Sequence, residues 1–233
     1  MVEVRAPAGL WSWQGEPQWG RLRYGVPIGG AMDLESYRLA RELSGGEVLE
    51  VAMTPADIVA LQDCRIAVVG TSARVGEVYH PAQSAFNVLA GEVVAVSAPL
   101  RCRSYVGVGP VGPVGPERRA FQATPGPIRV MPGPQATDDW LDAFCRSSLI
   151  ASPRMDRRGI RLSGFPFGAE TEIVSEPSCV GAIQLTPSGE LIIIGPDGPT
   201  IGGYPKIAVV LHDDLSKLGQ IRPGERVEFV LVP

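Results

Sequence analysis

The sequence predicts a mainly β protein with a few short helices. Three observations point there: Gly 28 and Pro 22 among 233 residues, apolar runs that stay short, and turn residues recurring between them at regular spacing. Such punctuation breaks up long helices and favours many short strands joined by turns, as in a sandwich or barrel.

The elements follow in order. Leu10-Trp11-Ser12-Trp13-Gln14 alternates apolar and polar residues, the pattern of a half-buried strand. Gly25–Gly30 is a turn. Asp33 then caps a helix to about Leu43, with Leu34, Tyr37, Ala40 and Leu43 on one face and Gly45-Gly46 ending it. Strands are expected at Val48–Val51, Ile58–Leu61, Ile66–Val69, Phe86–Leu89, Val93–Ser97 and Ser104–Val108. Gly107–Pro116 repeats Gly-Pro-Val almost three times and reads as an extended linker. It divides the chain near residue 120 into domains 1–120 and 121–233. The second half opens with a strand at Ile128–Met131, then a helix capped by Thr137 or Asp138 that turns Trp140, Leu141 and Phe144 inward. Further strands are expected at Ile173–Ser175, Ala182–Leu185, Leu191–Ile194, Ile207–Leu211 and Arg226–Leu231. Asp213-Asp214 before Leu215–Leu218, closed by Gly219, is one capped helical turn.

Bulk properties narrow the function. Net charge is −4, so no global field attracts nucleic acid. No apolar run spans a bilayer, and no basic region precedes an apolar run at the N-terminus, so neither a membrane span nor a signal peptide is expected. Cys64, Cys102, Cys145 and Cys179 are far apart and form no C-x-x-C pair. They read as buried thiols in a reducing cytoplasm. His80 and His212 are too few for a histidine metal cluster, so no metal is expected. There is no P-loop pattern and no G-x-S-x-G elbow, so any ATP chemistry does not come from a P-loop in this chain.

Several residues could carry a site. Asp156-Arg157-Arg158 with Arg161 is the densest polar cluster, and a carboxylate among guanidiniums either binds an anion or forms a solvated charged turn. Gln184 stands in an apolar strand, where a buried amide needs a partner from the core or from a ligand. Asp197 in Gly195-Pro196-Asp197-Gly198-Pro199 reads as a turn residue. Thr200–Lys206 joins two apolar runs, with two glycines, Tyr204 and Pro205 making a tight connection. Glu50 is a solvated or ion-paired carboxylate.

Six collinear pieces carry a family resemblance from about Leu10 to Phe229. They are Gly25-Val26-Pro27 with Gly30-Ala31-Met32-Asp33, Leu49-Glu50, Arg129–Gln135, Ser152–Leu162, Gly181–Gln184 and Ile201–Pro205. Together they resemble the allophanate hydrolase subunit 2-like family, which includes the C component of bacterial 5-oxoprolinase, KipA-type proteins and part of the urea carboxylase carboxyltransferase domain. The resemblance implies β-barrel subdomains, the second cyclophilin-like. It implies a partner of the KipI or allophanate hydrolase subunit 1 type, a third LamB/YcsF-type subunit, and ATP handled outside this chain, which itself binds no cofactor. On the first reading, a subunit of a 5-oxoprolinase-type amidohydrolase, residue chemistry assigns Asp156, Arg157, Arg161 and Tyr204 to substrate binding, Gln184 to orienting a carbonyl and Asp197 to the general base for opening 5-oxoproline to glutamate. A non-catalytic KipA-type regulatory subunit is the alternative. A urea carboxylase-like carboxyltransferase domain is the third reading, which needs a separate biotin carrier. The chain departs from the family pattern at Gly15, Gln18, Gly29, Arg41, Met155, Arg158 and Pro199. It also lacks the family's G-S-x-S-T segment, whose place the Gly-Pro-Val run takes.

Overall fold

The structure, a computed structural model, describes residues 2–6, 10–113, 126–170 and 172–232. Two compact units form, one within Met1–Glu16 and Asp33–Ala123, the other within Pro17–Met32 and Thr124–Pro233. Residues 17–32 thus belong with the second unit, although they precede most of the first in sequence.

The first unit has two five-stranded sheets. One runs Val2–Arg5, Ala56–Ala60, Val93–Val96, Ala73–Val75, Val78–His80; the other Trp11–Gln14, Glu47–Ala52, Arg103–Gly109, Cys64–Val69, Ser84–Val88. Alternate side chains point to opposite faces of a strand, so Ile58 and Val94 of one sheet meet Leu49, Ile66 and Val106 of the other in a shared core. Helix α1 (Leu34–Ser44) starts where Asp33 Oδ1 accepts the Ser36 N–H at 3.0 Å and stops at Gly45, whose φ is 73°. Its buried face is Ser36, Tyr37, Ala40 and Ser44, while Leu34 and Leu43 are only half-buried.

That small-residue face explains a correction. Gly107 and Val108, expected both at the end of the strand Ser104–Val108 and at the start of the linker, lie with Gly109 inside the strand Arg103–Gly109, and the helix crosses directly over them. A Cβ at Gly107 would stand 2.4 Å from both Ala40 O and Ser44 Oγ, and one at Gly109 2.0 Å from Ser44 O. The glycines serve close approach, not chain freedom. Gly112 is also tied down, its carbonyl accepting Asn87 Nδ2 at 3.0 Å. Residues 114–116 of the expected linker lie outside the described residues. Glu50 is buried and ion-paired with Arg103 at 3.4 Å.

The second unit is an eight-stranded sheet in the order Arg226–Val227, Leu149–Ala151, Gly159–Ser163, Leu191–Ile194, Ala182–Leu185, Lys206–Val210, Ile128–Pro132, Phe229–Leu231. Its first and last strands are separated in sequence by Glu228 alone, so the sheet curls round into a nearly closed barrel. The single strand expected over Arg226–Leu231 therefore splits. It changes neighbours at Glu228, whose carbonyl accepts the Ile128 N–H at 2.8 Å. Val130, Leu162, Ile183, Leu185, Leu191 and Ile193 fill the interior. Helix α2 (Asp138–Arg146), capped by Thr137, sets Phe144 against Phe229 with ring centroids 4.8 Å apart. Before helix α3 (Leu215–Leu218), Asp214 is almost fully buried. Its carboxylate accepts from Arg129 at 2.8 Å and pairs with Lys217 at 3.0 Å.

Two further expectations change. No strand forms at Ile173–Ser175: the Ile173 N–H reaches Gly203 O at 2.8 Å, but Val174 is fully solvated. Pairing starts instead at Glu176–Pro177, which joins Ile201–Gly202 in a two-stranded ribbon. Of the four free cysteines, Cys64 and Cys102 are buried as expected, while Cys145 and Cys179 lie on loops and helix faces that leave them exposed.

Candidate functional site

Sheet register builds the site. In the barrel, Ile183, Leu185, Ile193 and Leu162 point inward, so the residues between them point outward. Arg161 is paired with Ile192, Ile192 with Gln184, and Gln184 with Lys206. With neighbouring strands about 4.8 Å apart, the outer face carries a row of guanidinium, branched alkyl, amide and ammonium.

A β-bulge completes the row. Ile183 faces Ala208, yet Gln184 faces Lys206, so Ile207 is the extra residue. Unbulged, Lys206 would stand opposite the core residue Leu185. The inserted residue keeps both Ile207 and Ala208 in the interior and turns Lys206 to the outer face.

A cavity of about 600 Å³ lies on this face, lined by Arg161, Ile192 and Gln184 of the row. The Pro153–Asp156 turn, Arg158, Pro199, Gly202, Gly203 and Tyr204 line the rest. Gln184 is 3% exposed, and its Nε2 has no hydrogen-bond partner among the described residues. A buried donor without an acceptor costs about 1–3 kcal/mol.

The charges around it are held in pairs. Glu190 takes Arg154 at 2.6 Å on one oxygen and Arg161 on the other. Asp156 accepts the Arg158 guanidinium at 2.7 and 2.9 Å and the Arg158 N–H at 2.8 Å. Burial pushes the Asp156 carboxyl up, but these hydrogen bonds from Arg158 outweigh it and hold it below the usual range. Three arginines against two carboxylates leave one net positive charge beside the amide.

Of the residues predicted from sequence, Asp156, Arg161, Gln184 and Tyr204 come together on the cavity. Arg157 and Asp197 are not among its lining residues. Arg157 donates to both Asp197 oxygens, at 2.7 and 3.1 Å, and to Gly30 O at 2.5 Å. The Gly29 N–H donates to Pro196 O at 2.9 Å, so this cluster ties the Gly29–Gly30 turn to the Asp197 turn.

Sequence reasoning missed Arg154, Glu190, Gln135, Glu176 and Lys206. Gln135 Oε1 accepts the Lys206 N–H at 3.0 Å, and Glu176 Oε1 takes both Gln135 Nε2, at 2.8 Å, and the buried Lys206 ammonium. A lysine at the mouth of the apolar run Ile207–Leu211 was the one available signal for this cluster. Among the described residues, no group of three His, Cys, Asp or Glu side chains could hold a metal ion. No helix among them is long and apolar enough to cross a membrane.

Comparison with known proteins agrees with this architecture. The family described as carboxyltransferase domain, subdomain A and B, matches residues 24–114 and 110–231. The two pieces meet at the Gly-Pro-Val run. The C component of 5-oxoprolinase from Escherichia coli is 35% identical over 108 residues, 44% of this chain and 35% of that protein. Its Haemophilus influenzae counterpart is 32% identical over 132 residues, 56% of this chain and 40% of that protein. These matches span well under half the length of those relatives. Urea amidolyase of Saccharomyces cerevisiae is 26% identical across 98% of this chain, which covers 16% of that protein. Among solved structures, TTHA0988 superposes with a TM-score of 0.86 at 26% identity, over 98% of this chain and 55% of that one.

Proposed function

The chain belongs to the carboxyltransferase domain family, subdomains A and B, and on that premise we propose that it is the part of an ATP-dependent 5-oxoprolinase-type amidohydrolase that corresponds to the C component. It acts with a KipI-like subunit and a LamB/YcsF-type component in the cytoplasm, with ATP handled by those companions. The observation that carries this reading is the Gln184 amide, nearly fully buried, unpartnered among the described residues and lining a cavity beside Arg161. Gln184 Nε2 donates to the lactam carbonyl of 5-oxoproline, where negative charge develops as the ring opens. Arg161, steadied by Glu190, offers its remaining N–H groups to the ligand carboxylate. Tyr204 flanks the ring, and Asp156 is a fixed anion at the rim. Arg157 binds Asp197 and Gly30, so Arg157 and Asp197 enter the reading as the clasp that orients the Gly29–Gly30 turn.

A second reading, a KipA-type regulatory or binding subunit, has its own support. Met155, Arg158 and Pro199, three departures from the family pattern, all line the cavity. A site whose polar contacts changed together suits a different ligand or none. The test is 5-oxoproline-dependent ATP hydrolysis by the companion components, with this chain, without it, and with its Gln184→Leu variant. Stimulation by the wild type that the variant loses supports the first reading. No stimulation, from companions that respond to a longer family member, overturns it in favour of the second.

A further inference from the structure

Four residues form a closed ring around the cavity's amide. Gln184 is paired through the sheet with Lys206. The buried Lys206 ammonium is bonded to Glu176, which also holds Gln135. Glu176 is paired with Gly202 in the two-stranded ribbon. Gly202 returns to Gln184: a Cβ there would stand 2.6 Å from Gln184 Nε2. The ring is made of two backbone pairings, one ion pair and one side-chain contact against a residue that has no side chain. We propose that Glu176 is a positioning residue for the Gln184 amide, acting through Lys206 and Gly202 to aim Nε2 into the cavity. This rests on the cavity's being the ligand site, and adds to that reading the device that sets its donor.

Three features support a built device over an incidental surface pair. The bulge at Ile207 is what places Lys206 on the outer face at all. The Lys206 side chain is 6% exposed, so its charge depends on Glu176 and cannot exchange that partner for water. The ribbon is only two residues long on each strand, and its two strands pair only with each other, outside the eight-stranded sheet. Such a short ladder has little rigidity of its own, so the ion pair is a principal tie between ribbon and barrel.

The experiment reads the amide itself in the ligand-free protein, by the Gln184 side-chain NH₂ pair in a ¹⁵N–¹H spectrum, assigned by its loss in Gln184→Met. In Glu176→Ala the pair shifts and its exchange with water rises about tenfold, while the interior amides of Ile183 and Leu185 stay where they were. Glu176→Gln, which keeps an acceptor for Lys206 and Gln135, gives a smaller shift of the same sense; it carries the test if the alanine variant fails to fold. An unmoved NH₂ pair in the folded variants overturns the proposal, whatever happens to the melting temperature. Titration of each protein with 5-oxoproline separates the two ideas. A ligand-free shift without 5-oxoproline binding by the wild type keeps the positioning and sinks the ligand assignment, whereas binding with an unmoved pair does the reverse.

Discussion

The Tyr105 hydroxyl donates to Glu50 Oε2 at 2.8 Å, deep inside the first unit. The hydroxyl oxygen in turn accepts the Asp33 N–H at 2.8 Å, so the residue that caps α1 is tied to the strand Glu47–Ala52 through one phenol. Tyr105 is fully buried, and that burial, followed by the nearby Glu50 and Asp33 carboxylates, pushes its hydroxyl well above the usual phenol range. Tyr105→Phe removes one partner from each neighbour. It is expected to lower unfolding free energy by about 1–3 kcal/mol in urea titration, with no change in ligand binding at the second unit.

Gly107→Ala places a methyl carbon 2.4 Å from Ala40 O and Ser44 Oγ. The backbone of α1 must move away, so the expected cost is about 1–3 kcal/mol, seen as an earlier thermal transition. A substitution in a true linker would leave that transition unchanged.

The Asp214 carboxyl is held at about 2, against an ordinary 3.8. Burial alone would raise it; the hydrogen bonds from the Arg129 side chain and backbone, then from Lys217, bring it down. Folding favours the ionised form, so its contribution is complete above about pH 4 and fades as pH falls toward about 2. Asp214→Asn should therefore unfold more easily than the wild type at neutral pH, by about 2 kcal/mol, and the gap should close through that acid window. A gap that stays constant across urea titrations at falling pH would rule this out.

Gln184→Leu separates stability from binding. Nε2 has no partner among the described residues, so an apolar replacement of similar size is expected to leave stability unchanged or raise it. On the proposed function, affinity for 5-oxoproline falls about tenfold or more by calorimetry, since one buried hydrogen bond is lost. A parallel loss of both would place the amide in the core's own hydrogen bonding.

Arg157→Met is expected to do the opposite. It breaks the bonds to Asp197 and Gly30, lowering the melting temperature, and leaves 5-oxoproline affinity where it was. A loss of affinity at unchanged melting temperature would return Arg157 to the ligand.

The fold was largely legible because its signals are local. Short apolar runs between turn residues marked such strands as Glu47–Ala52, Cys64–Val69, Ala182–Leu185 and Leu191–Ile194 to within two residues, and Asp33, Thr137 and Gly45 marked the helix ends by their own side-chain and backbone chemistry. What escaped depends on who approaches whom. Gly107–Gly109 looked like freedom because a glycine's neighbours across space are invisible in sequence. The site was half legible for the same reason. Asp156 and Arg157 are adjacent, yet one lines the cavity and the other does not. Lys206 reaches the outer face only through a one-residue register shift that no residue type announces. The motif piece Arg129–Gln135 and the Thr200–Lys206 connection are visible separately, while their meeting at the Gln135–Lys206 contact required the fold.

The change of neighbours at Glu228 has a bearing on assembly. Because Arg226–Val227 is bonded to one neighbour and Phe229–Leu231 to another, the eight-stranded sheet presents no long row of unpaired backbone groups among the described residues. Its end strands are two and three residues long, so this sheet offers another chain little edge to extend. A partner docking on this sheet therefore meets mainly side chains.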